Sequence, residues 1–349
     1  MQALVLAGGE GTRLRPLTYT TPKPVMPLAG RPFLSFMLDW LRGHGVTGAI
    51  LSCGFLSDAV REVLGDTHQG MRLHYVTEEE PLGTAGPVRL ALEGGILEER
   101  LLVLNGDVLT DLDLTAQLAR HAATGARATL ALIEVEDVSS YGVVPTGADG
   151  RVEAFLEKSD GPASTNRINA GAYVIEREVV ESMIPSGRAV SFEREVFPAL
   201  VGDGLHGYEA SGYWIDIGAP ERYLEATYDL LSGRLKSSLP PRDETGSLIG
   251  TGCLVSGAHI GPQSVLGSHC SVGSDSTLER SVLHDRVLVG ADCVIRDSVL
   301  AGGVRVGDGA RIEPGAMLGS GAKVEPGAVV GLDARVAPGA VVQAGGSPA

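Results

Sequence analysis

The sequence lacks the residue patterns of several common protein classes. Its 349 residues include only four cysteines, and no two of them are spaced as C-x-x-C. This argues against the disulfide framework of small secreted domains and favours reduced, buried thiols at Cys53, Cys253, Cys270 and Cys293. Aromatic residues make up only 5% of the chain, too few to favour a platform on which the bases of single-stranded nucleic acid stack.

Long apolar runs are also missing. No stretch reaches the roughly 18 uninterrupted apolar residues of a membrane-spanning helix, and the first residues lack the charged and apolar regions of a signal peptide. We therefore expect a cytoplasmic protein with no membrane partner. The net charge of −15 argues against nucleic acid as a partner, so a local cluster of cations indicates a site for a small anion.

Up to residue 233, short aliphatic runs alternate with amphipathic stretches of helical length. Strands are predicted at residues 3–7, 48–53, 72–76 and 100–107, and helices near residues 32–43, 56–64, 85–92 and 114–124. This alternation predicts an α/β fold with a Rossmann-like, doubly wound sheet. Further strands at residues 129–135, 142–146, 151–157 and 167–175 predict that the sheet is mixed, and a helix near residues 220–231 closes the region.

The composition changes after residue 233. Residues 234–247 are polar and contain a proline pair, which is typical of a linker. Beyond them a six-residue repeat begins, with an aliphatic residue in the first place and a small residue in the fifth. The first places are Leu254, Ile260, Leu266, Val272, Leu278, Val289, Ile295, Val306, Ile312, Leu318, Val324, Val330 and Val336. The intervals from Leu278 to Val289 and from Ile295 to Val306 are eleven residues long, and each contains one five-residue step. Cys270, Val282, Cys293 and Val299 are among the fifth places.

This repeat is the hexapeptide signature of a left-handed parallel β-helix. We therefore predict a first domain over residues 1–233, a linker over 234–247 and a β-helix domain over 248–349. Cys270 and Cys293 are expected to fill its interior. The flat faces and open ends of such a stack favour self-association, so we expect a homo-oligomer built through the β-helix.

A glycine-rich bend follows the first predicted strand, in "LVLAGGEGTRLRPLTYTTPKP" from Leu4 to Pro24. Adjacent glycines permit positive φ angles and let backbone N–H groups approach a ligand closely. The bend matches neither the Walker A motif nor the dinucleotide-binding glycine pattern. Arg13, Arg15 and Lys23 lie in the same excursion, and this concentration of cations predicts a site for phosphate groups.

Two aspartates interrupt or end apolar runs elsewhere. Asp107 ends the strand "LLVLNGD", where an open α/β sheet presents ligand-binding groups, and Asp216 lies within "YWIDIGAP". Burying a carboxylate is costly unless it is paired or bound to a metal. Mg²⁺ takes one or two carboxylates beside phosphate oxygens, so we predict a magnesium site, with helix capping as the alternative for either residue.

Several ordered motifs together resemble the nucleoside-diphosphate-sugar pyrophosphorylases. They are "LAGGEGTRLRPLTYTTPKP", "EEEPLGTAGP", "LNGDV", "YGVV", "FLEK", "INAGAYV", "SFEREVFPAL" and "GYWIDIGAPERYL". The resemblance is closer still to the mannose-1-phosphate guanylyltransferases that carry a C-terminal hexapeptide-repeat domain. It implies that a sugar 1-phosphate attacks the α-phosphate of a nucleoside triphosphate and that pyrophosphate leaves, a Mg²⁺-dependent reaction that needs positioning and charge neutralisation but no covalent nucleophile.

The resemblance also implies roles for individual residues. The nucleotide would be bound by Leu6, Ala7, Gly8, Gly9, Gly11, Thr12, Arg13, Lys23, Glu78, Gly83 and Thr84. The sugar phosphate would be bound by Asp107, Gly142, Glu157, Lys158, Asn169 and Asp216. Arg13, Lys23, Lys158 and Asp107 would be catalytic, and Asp107 with Asp216 would hold Mg²⁺. Ser159 follows Lys158 where the family often has proline, which leaves the shape of the sugar loop open.

Glu78 bears on the choice of base. Thymidylyl relatives carry a glutamine five residues before the glycine that corresponds to Gly83, and an amide suits the mixed edge of thymine or uracil. An ionised carboxylate only accepts hydrogen bonds, and guanine offers two adjacent donors. We therefore predict GTP over dTTP and UTP, with Glu78 as the base-binding residue and Glu79 or Glu80 as alternatives.

Other functions are compatible with parts of the sequence. A thymidylyl- or uridylyltransferase acting on glucose 1-phosphate is the nearest alternative, because mannose and glucose differ at one hydroxyl. Hexapeptide helices also occur in acyltransferases, but His259, His269 and His284 lie within the regular repeat and not on a loop that leaves it. A non-catalytic regulatory subunit is disfavoured because all five of the expected charged site residues are present: Arg13, Lys23, Asp107, Lys158 and Asp216.

Overall fold

The computed structural model describes residues 1–54, 57–78, 80–156, 165–235, 237, 239 and 242–345. It divides into two compact units: unit 1 contains Met1–Gly9 and Leu34–Trp214, and unit 2 contains Glu10–Phe33 and Ile215–Ala349. The glycine-rich bend is therefore split. Its first glycines belong to unit 1, while the residues that carry its cations belong to the same unit as the C-terminal repeat.

Unit 1 is built on a mixed β-sheet. Its strands are β1 (Gln2–Leu6), β2 (Gly48–Cys53), β3 (Thr67–His68), β4 (Met71–Thr77), β5 (Arg100–Asn105), β6 (Ala128–Glu134), β7 (Arg167–Glu176) and β8 (Leu205–Glu209). Their order is β8-β6-β7-β5-β1-β2-β4-β3. Strand β7 is antiparallel to β5 and β6, β3 is antiparallel to β4, and the other pairs are parallel. This confirms the predicted α/β fold with a mixed sheet.

Helices connect the strands of this sheet. They are α1 (Phe33–Gly43), α2 (Ser57–Leu64), α3 (Gly86–Glu93), α4 (Leu114–Thr124), α5 (Arg177–Met183) and α6 (Phe197–Leu200), with a π-helix over Phe192–Val196. The predicted helices agree with α1 to α4 at nearly every boundary. Local interactions set both ends of α4. The Asp113 carboxylate caps its first turn by accepting a hydrogen bond from the Ala116 N–H, and Gly125 ends the helix with a φ of 61°.

Some elements of unit 1 differ from the prediction. The strands expected at residues 142–146 and 151–157 are present only as isolated bridges, between Val143 and Leu156 and between Thr146 and Val152. Pro145 has no N–H to give to a continuous ladder. Strand β8 and helix α5 were not predicted, because a five-residue segment containing glycine and a seven-residue segment are too short to show a clear periodicity.

Unit 2 contains a parallel β-helix with three faces. Face 1 consists of Leu248–Ile249, Val265–Leu266, Val282–Leu283, Val299–Leu300, Met317–Leu318 and Arg335–Val336. Face 2 consists of Leu254–Val255, Ser271–Val272, Leu288–Val289, Arg305–Val306, Lys323–Val324 and Val341–Val342. Face 3 consists of His259–Ile260, Thr277–Glu279, Val294–Arg296, Arg311–Ile312 and Val329–Val330. The predicted β-helix is therefore present, and Cys270 and Cys293 are buried in it as expected.

The predicted register is wrong at the start of the repeat. Leu254 is 68% exposed and pairs with Ser271. Val255 pairs with the buried Val272 of the next coil and so takes the inward register place, although it is 37% exposed in this first coil. The step from Val255 to Ile260 has five residues and not six, so a strict count of six backwards from Ile260 arrives one residue too early.

The predicted small places at Val282 and Val299 are also wrong. These valines pair with each other along face 1, whereas Ser281 and Ser298 are completely buried one residue earlier. Each five-residue step shortens the coil by one residue, and the place for a small side chain moves with it. The two serine hydroxyls donate to the carbonyls of Glu279 and Arg296, which allows a polar group to fill an interior place.

The remainder of unit 2 comes from the glycine-rich bend and from one long helix. The bend contains single 3₁₀ turns at Thr12–Leu14, Leu17–Tyr19 and Lys23–Val25, and a hairpin of Pro27–Leu28 with Arg31–Pro32. Helix α7 spans Pro220–Ser232, close to the predicted 220–231. A short strand at Val108–Thr110 belongs to unit 1, and another at Trp214–Asp216 spans the position in the chain where unit 1 ends and unit 2 resumes. No helix in the described part of the chain combines the length and apolar character needed to cross a membrane.

Candidate active site

The carboxyl ends of neighbouring strands in unit 1 approach each other closely through glycines. The Gly106 N–H donates to the Leu6 carbonyl over 2.9 Å, and a Cβ on Gly106 would lie 2.6 Å from that oxygen. A Cβ on Gly54 would lie 2.7 Å from the Gly8 carbonyl. Only glycine permits these approaches, and they leave Gly8 and Gly9 exposed at the strand ends, as a backbone site for an anion requires.

Asp107 lies at this same edge of unit 1. It directly follows Gly106, whose backbone is fixed against the end of β1, and its side chain is half-buried. The position agrees with the general rule that ligands bind beyond the carboxyl ends of the strands in open α/β sheets.

Glu78 follows β4 and is held by two hydrogen bonds. Its Oε1 accepts from the Ser52 hydroxyl over 2.7 Å, and its Oε2 accepts from the Leu82 N–H over 2.9 Å. A Cβ on Gly8 would lie 3.3 Å from Glu78 Oε1, so the carboxylate is next to the first glycine of the bend. Each oxygen has a further lone pair for a ligand. Glu80 is exposed, and Glu79 lies outside the described residues.

The Cys53 thiol is buried near the same Glu78 carboxylate. Burial and the nearby Glu78 carboxylate raise the pKa of the Cys53 thiol to about 12, so the sulfur is a neutral thiol at physiological pH. This agrees with the expected buried, reduced state of Cys53.

The loop after Glu78 turns at Gly83. Gly83 has a φ of 75°, and a Cβ there would lie 2.5 Å from the Val190 carbonyl. The same carbonyl accepts from the Ala85 N–H over 2.9 Å, and the Val190 N–H donates to Leu82. The Gly83 loop is therefore fixed against residue 190, which places the Thr84 side chain beside the π-helix described above.

The predicted sugar-binding residues Gly142 and Asn169 lie together in unit 1. The Asn169 N–H donates to the Gly142 carbonyl over 3.4 Å. Two hydrogen bonds fix the orientation of the Asn169 amide. Its Oδ1 accepts from the Gly171 N–H over 3.0 Å, and its Nδ2 donates to the Tyr173 hydroxyl over 2.8 Å. Glu157 and Lys158 lie outside the described residues.

Unit 2 holds the other predicted site residues. Gly11 has a φ of 62°, and its carbonyl accepts from the Thr18 hydroxyl over 2.8 Å, which closes the turn that contains Thr12 and Arg13. A Cβ on Gly218 would clash with the Arg13 guanidinium and would lie 3.1 Å from Asp216 Oδ2. The structure therefore brings Arg13 and Asp216 together over a glycine.

The cations of the bend are not equivalent. Lys23 is 8% exposed, and its Cβ lies near Gly11. Arg15, by contrast, points to the surface, where it pairs with Glu10 over 3.1 Å and lies over the Tyr19 ring. Arg15 thus makes its contacts at the surface.

The two predicted metal ligands offer suitable chemistry. Asp107 and Asp216 supply carboxylate oxygens, the donors that Mg²⁺ prefers. Within the described ranges, no group of three or more His, Cys, Asp or Glu side chains is arranged to hold a metal ion.

Sequence reasoning missed two features near the site. The Trp214 indole donates to the Ala170 carbonyl over 2.8 Å and meets the Tyr141 ring edge-on, at 5.5 Å between centroids, which supports the Asn169 segment. Glu193 accepts hydrogen bonds from Thr84 and Ser191. The signal for Glu193 was the motif "SFEREVFPAL", which contributed to the resemblance without a role being assigned to its acids.

Comparison with known proteins defines the class. The nucleotidyl transferase family matches residues 2–233, and the EIF2B subunit epsilon LbH domain matches residues 242–342. The chain therefore belongs to the nucleotidyl transferase family. It is a sugar-1-phosphate nucleotidyltransferase with a C-terminal left-handed β-helix, as the sequence motifs predict.

Individual relatives include proteins named as sugar-1-phosphate nucleotidyltransferases. The chain is 41% identical to a protein named mannose-1-phosphate guanylyltransferase from Mycobacterium tuberculosis, over 75% of this chain and 77% of that one. It is 38% identical to the mannose-1-phosphate guanyltransferase of Schizosaccharomyces pombe, over 68% of this chain and 66% of that one. Among solved structures, HddC from Yersinia pseudotuberculosis complexed with GMP-PN is 29% identical with a TM-score of 0.54, covering 64% of this chain and 97% of that chain.

Proposed function

We propose that this protein transfers the guanylyl group of GTP to mannose 1-phosphate, giving GDP-mannose and pyrophosphate. A phosphate oxygen of the sugar 1-phosphate attacks the α-phosphorus of GTP. The bond between that phosphorus and the bridging oxygen to the β-phosphate breaks, and pyrophosphate leaves with the electron pair. The names of the relatives support the sugar and the base, and the placement of Glu78 is the single observation in this chain that carries the choice of guanine.

Residues of the bend supply the charge that the reaction needs. Negative charge moves onto the departing pyrophosphate, and fixed cations stabilise it best where they are already oriented. Arg13 and Lys23 are assigned this role, with the backbone around Gly8, Gly9, Gly11 and Thr12 binding the phosphate chain. Lys158 is assigned to the phosphate of the sugar and Glu157 to its hydroxyls.

Asp107 and Asp216 are the proposed ligands of Mg²⁺. The ion would neutralise phosphate oxygens of the substrates and favour in-line attack. Removal of divalent ions with EDTA should abolish pyrophosphate release, and added Mg²⁺ should restore it. Asp107→Asn should lower turnover by at least about 100-fold. Pyrophosphate release that is unchanged by Asp107→Ala would contradict the metal assignment.

Glu78 is proposed to accept hydrogen bonds from N1–H and the N2 amino group of guanine. The Ser52 hydroxyl and the Leu82 N–H hold the carboxylate in a fixed orientation, so little ordering is needed when the base binds. Glutamine fits this environment: its oxygen can accept from the Leu82 N–H while its amide group donates to the Ser52 hydroxyl, which can act as an acceptor. Glu78→Gln should therefore fold normally and change base preference.

The test compares specificity constants for GTP, dTTP and UTP, each with mannose 1-phosphate and glucose 1-phosphate. Wild type should prefer GTP, and Glu78→Gln should lower kcat/KM for GTP by roughly 10- to 100-fold while affecting dTTP and UTP less. The exposed Glu80 provides the matched control, since Glu80→Gln should leave the preference unchanged. A wild type that prefers dTTP would contradict the guanine assignment.

A homo-oligomer built through the β-helix is also proposed. Face 2 carries the exposed apolar side chains Leu254, Leu288 and Val341, which are 68%, 42% and 51% exposed. In the outward row of face 2 they are interspersed with Ser271, Arg305 and Lys323. Exposed apolar side chains on an open face favour contact with a second copy. Light scattering should give a mass above that of one chain for wild type and a lower mass for Leu288→Glu. A monomeric wild type would reject the proposal.

A further inference from the structure

A partly buried group of hydrogen bonds in unit 1 joins a predicted nucleotide-binding residue to a predicted sugar-binding residue. Thr84 lies at one end, in the loop after Glu78, and Asn169 lies at the other, on β7. Between them are the Glu193 carboxylate and the Tyr173 hydroxyl.

The direction of each hydrogen bond follows from the donors available. Asn169 Oδ1 accepts from the Gly171 N–H, so Nδ2 faces the Tyr173 oxygen and donates to it over 2.8 Å. The single hydrogen of the Tyr173 hydroxyl is then given to Glu193 Oε1, over 3.4 Å. Burial and the nearby Glu193 carboxylate raise the pKa of Tyr173, which keeps this hydroxyl protonated and able to donate.

The second oxygen of the Glu193 carboxylate, Oε2, also accepts hydrogen bonds from side-chain donors. The Phe192 N–H donates to Thr84 Oγ1 over 2.8 Å, and the Thr84 hydroxyl donates to Glu193 Oε2 over 2.6 Å. The Ser191 hydroxyl donates to the same oxygen over 2.8 Å. Within the described part of the chain, the three side chains hydrogen-bonded to Glu193 are therefore donors, and a carboxylate, which accepts through both oxygens, satisfies them.

The backbone holds Glu193 in this position. Residues 192–196 form a π-helix, a rare conformation that is frequent at functional sites, and Ser191 caps it by accepting from the Arg194 N–H. The rings of Phe192 and Phe197 pack against Tyr173 at 6.0 and 4.9 Å between centroids. The carboxylate thus lies in a rigid setting, in which a shift of one partner is transmitted to the other.

We propose that Glu193 is a positioning residue that couples the nucleotide loop at Thr84 to the sugar-binding Asn169 through Tyr173. Glu193 contacts neither substrate. It fixes the Asn169 amide so that the second hydrogen on Nδ2 is presented to a sugar hydroxyl, in an orientation that depends on the state of the Thr84 loop. This inference rests on the proposed function for the roles of Thr84 and Asn169.

The test is a kinetic cycle with Thr84→Val and Tyr173→Phe, made singly and together, in wild type and in Glu193→Gln. Thr84→Val should raise the KM for the sugar 1-phosphate at least about threefold, although Thr84 is on the nucleotide side. The effects of Thr84→Val and Tyr173→Phe on kcat/KM should be non-additive in wild type and additive in Glu193→Gln. Glutamine keeps the volume of the side chain but turns an amide donor toward another donor.

Glu195→Gln is the matched control. Glu195 lies in the same π-helix, and its carboxylate pairs with Arg188 at the surface over 2.8 Å. It also accepts from the Ser191 N–H over 3.3 Å, a hydrogen bond that the oxygen of a glutamine can keep. This variant should leave both KM values unchanged, which separates coupling from a general effect on the helix. Melting temperatures of all variants should accompany the kinetics, so that a loss of stability is not mistaken for a loss of coupling.

The substrates used are the base and sugar that wild type turns over best. If these are not GTP and mannose 1-phosphate, the proposed specificity fails while the cycle still tests the coupling. If wild type acts as proposed, but Thr84→Val leaves the sugar KM within twofold of wild type or the cycle is additive, the coupling role of Glu193 is overturned.

Discussion

Glycines at points of close approach determine where the charged groups of this protein lie. Gly218 is the clearest case, because a side chain there would collide with the Arg13 guanidinium beside Asp216. The φ angle of Gly218 is not in the left-handed region, so the requirement concerns space and not backbone strain. A single methyl group at this position should therefore displace a predicted catalytic cation without disturbing the chain around it.

Gly218→Ala should lower kcat/KM for nucleotidyl transfer by at least about tenfold, because Arg13 must move away from its place beside Asp216. The melting temperature should change little, since a flexible arginine side chain can yield. Gly43→Ala is the matched control, because a Cβ on Gly43 would meet nothing within 4 Å. Steady-state kinetics of both variants check this, and a fully active Gly218→Ala would remove Arg13 from the proposed mechanism.

His284 provides a prediction about pH at the same scale. It is buried in the β-helix domain, and burial lowers its pKa from the ordinary value of 6.5 to about 4. Between these values the unfolded chain binds a proton that the folded chain does not, so the free energy of unfolding falls as the pH is lowered from about 6.5 to about 4. A difference of this size contributes about 3 kcal/mol by linkage.

Urea unfolding at several pH values should show this loss in wild type, and His284→Gln should show a smaller one over the same window. The difference between the two curves isolates His284 from other titrating groups, such as His121 and Glu176. Parallel curves would show that His284 is solvated in the folded state.

At the scale of elements, the β-helix shows what determines its register. Inward places are defined by pairing between coils and not by a strict count of six. Leu266 is 1% exposed and lies inward, whereas Leu254 is 68% exposed although it lies two hexads earlier in the naive count. Leu266→Ala should lower the free energy of unfolding by about 2–5 kcal/mol, and Leu254→Ala should change it by less than about 0.5 kcal/mol.

Chemical unfolding of the two leucine variants checks the register directly, because the substitutions are identical and only the environment differs. Equal costs at the two positions would favour the strict six-residue count.

The same element explains what sequence alone could provide. Strong periodicities predicted the helices α1 to α4, the central strands and the existence of the β-helix, since each is set by local spacing. The five-residue steps were found where aliphatic residues marked them but not between Val255 and Ile260, where Leu254 offered an equally apolar alternative. The bridges of Val143 with Ile168 and of Arg151 with His206 depend on partners 25 and 55 residues away, which no local pattern contains.

Within the candidate site, the sequence indicated residues but not their partners. Glu78, Asn169 and Asp216 could be named from motifs. The hydrogen bonds of Glu78 to Ser52 and of Thr84 to Glu193 could not, because they join residues 26 and 109 positions apart in the chain. Arg15 was grouped with the phosphate-binding cations, but its surface pairing with Glu10 is visible only in three dimensions.

At the scale of the molecule, unit 2 joins the cations of the glycine-rich bend to the β-helix. The Thr20 hydroxyl meets the Ser320 hydroxyl at 2.8 Å. Tyr223 on α7 donates its hydroxyl hydrogen to the Pro27 carbonyl in the bend and also meets His284 Nε2 at 3.2 Å. Because Tyr223 has one hydrogen, and it goes to Pro27, the His284 contact requires a hydrogen on Nε2. The β-helix therefore supports the segment that carries Arg13 and Lys23.

Removing this support should affect the reaction at a distance. Tyr223→Phe keeps the buried ring but deletes the hydroxyl, which leaves the Pro27 carbonyl and His284 Nε2 without their shared partner. We expect kcat to fall roughly 3- to 30-fold, because the bend around Arg13 and Lys23 is held less firmly, and amide hydrogen exchange within residues 10–33 to become faster. Tyr75→Phe is the matched control, because the Tyr75 hydroxyl also donates to a backbone carbonyl, that of Gly65, but at the surface of unit 1. Faster exchange in residues 10–33 with unchanged kcat would show that the β-helix stabilises the bend without contributing to catalysis, whereas unchanged exchange would show that the contact through Tyr223 does not support the bend.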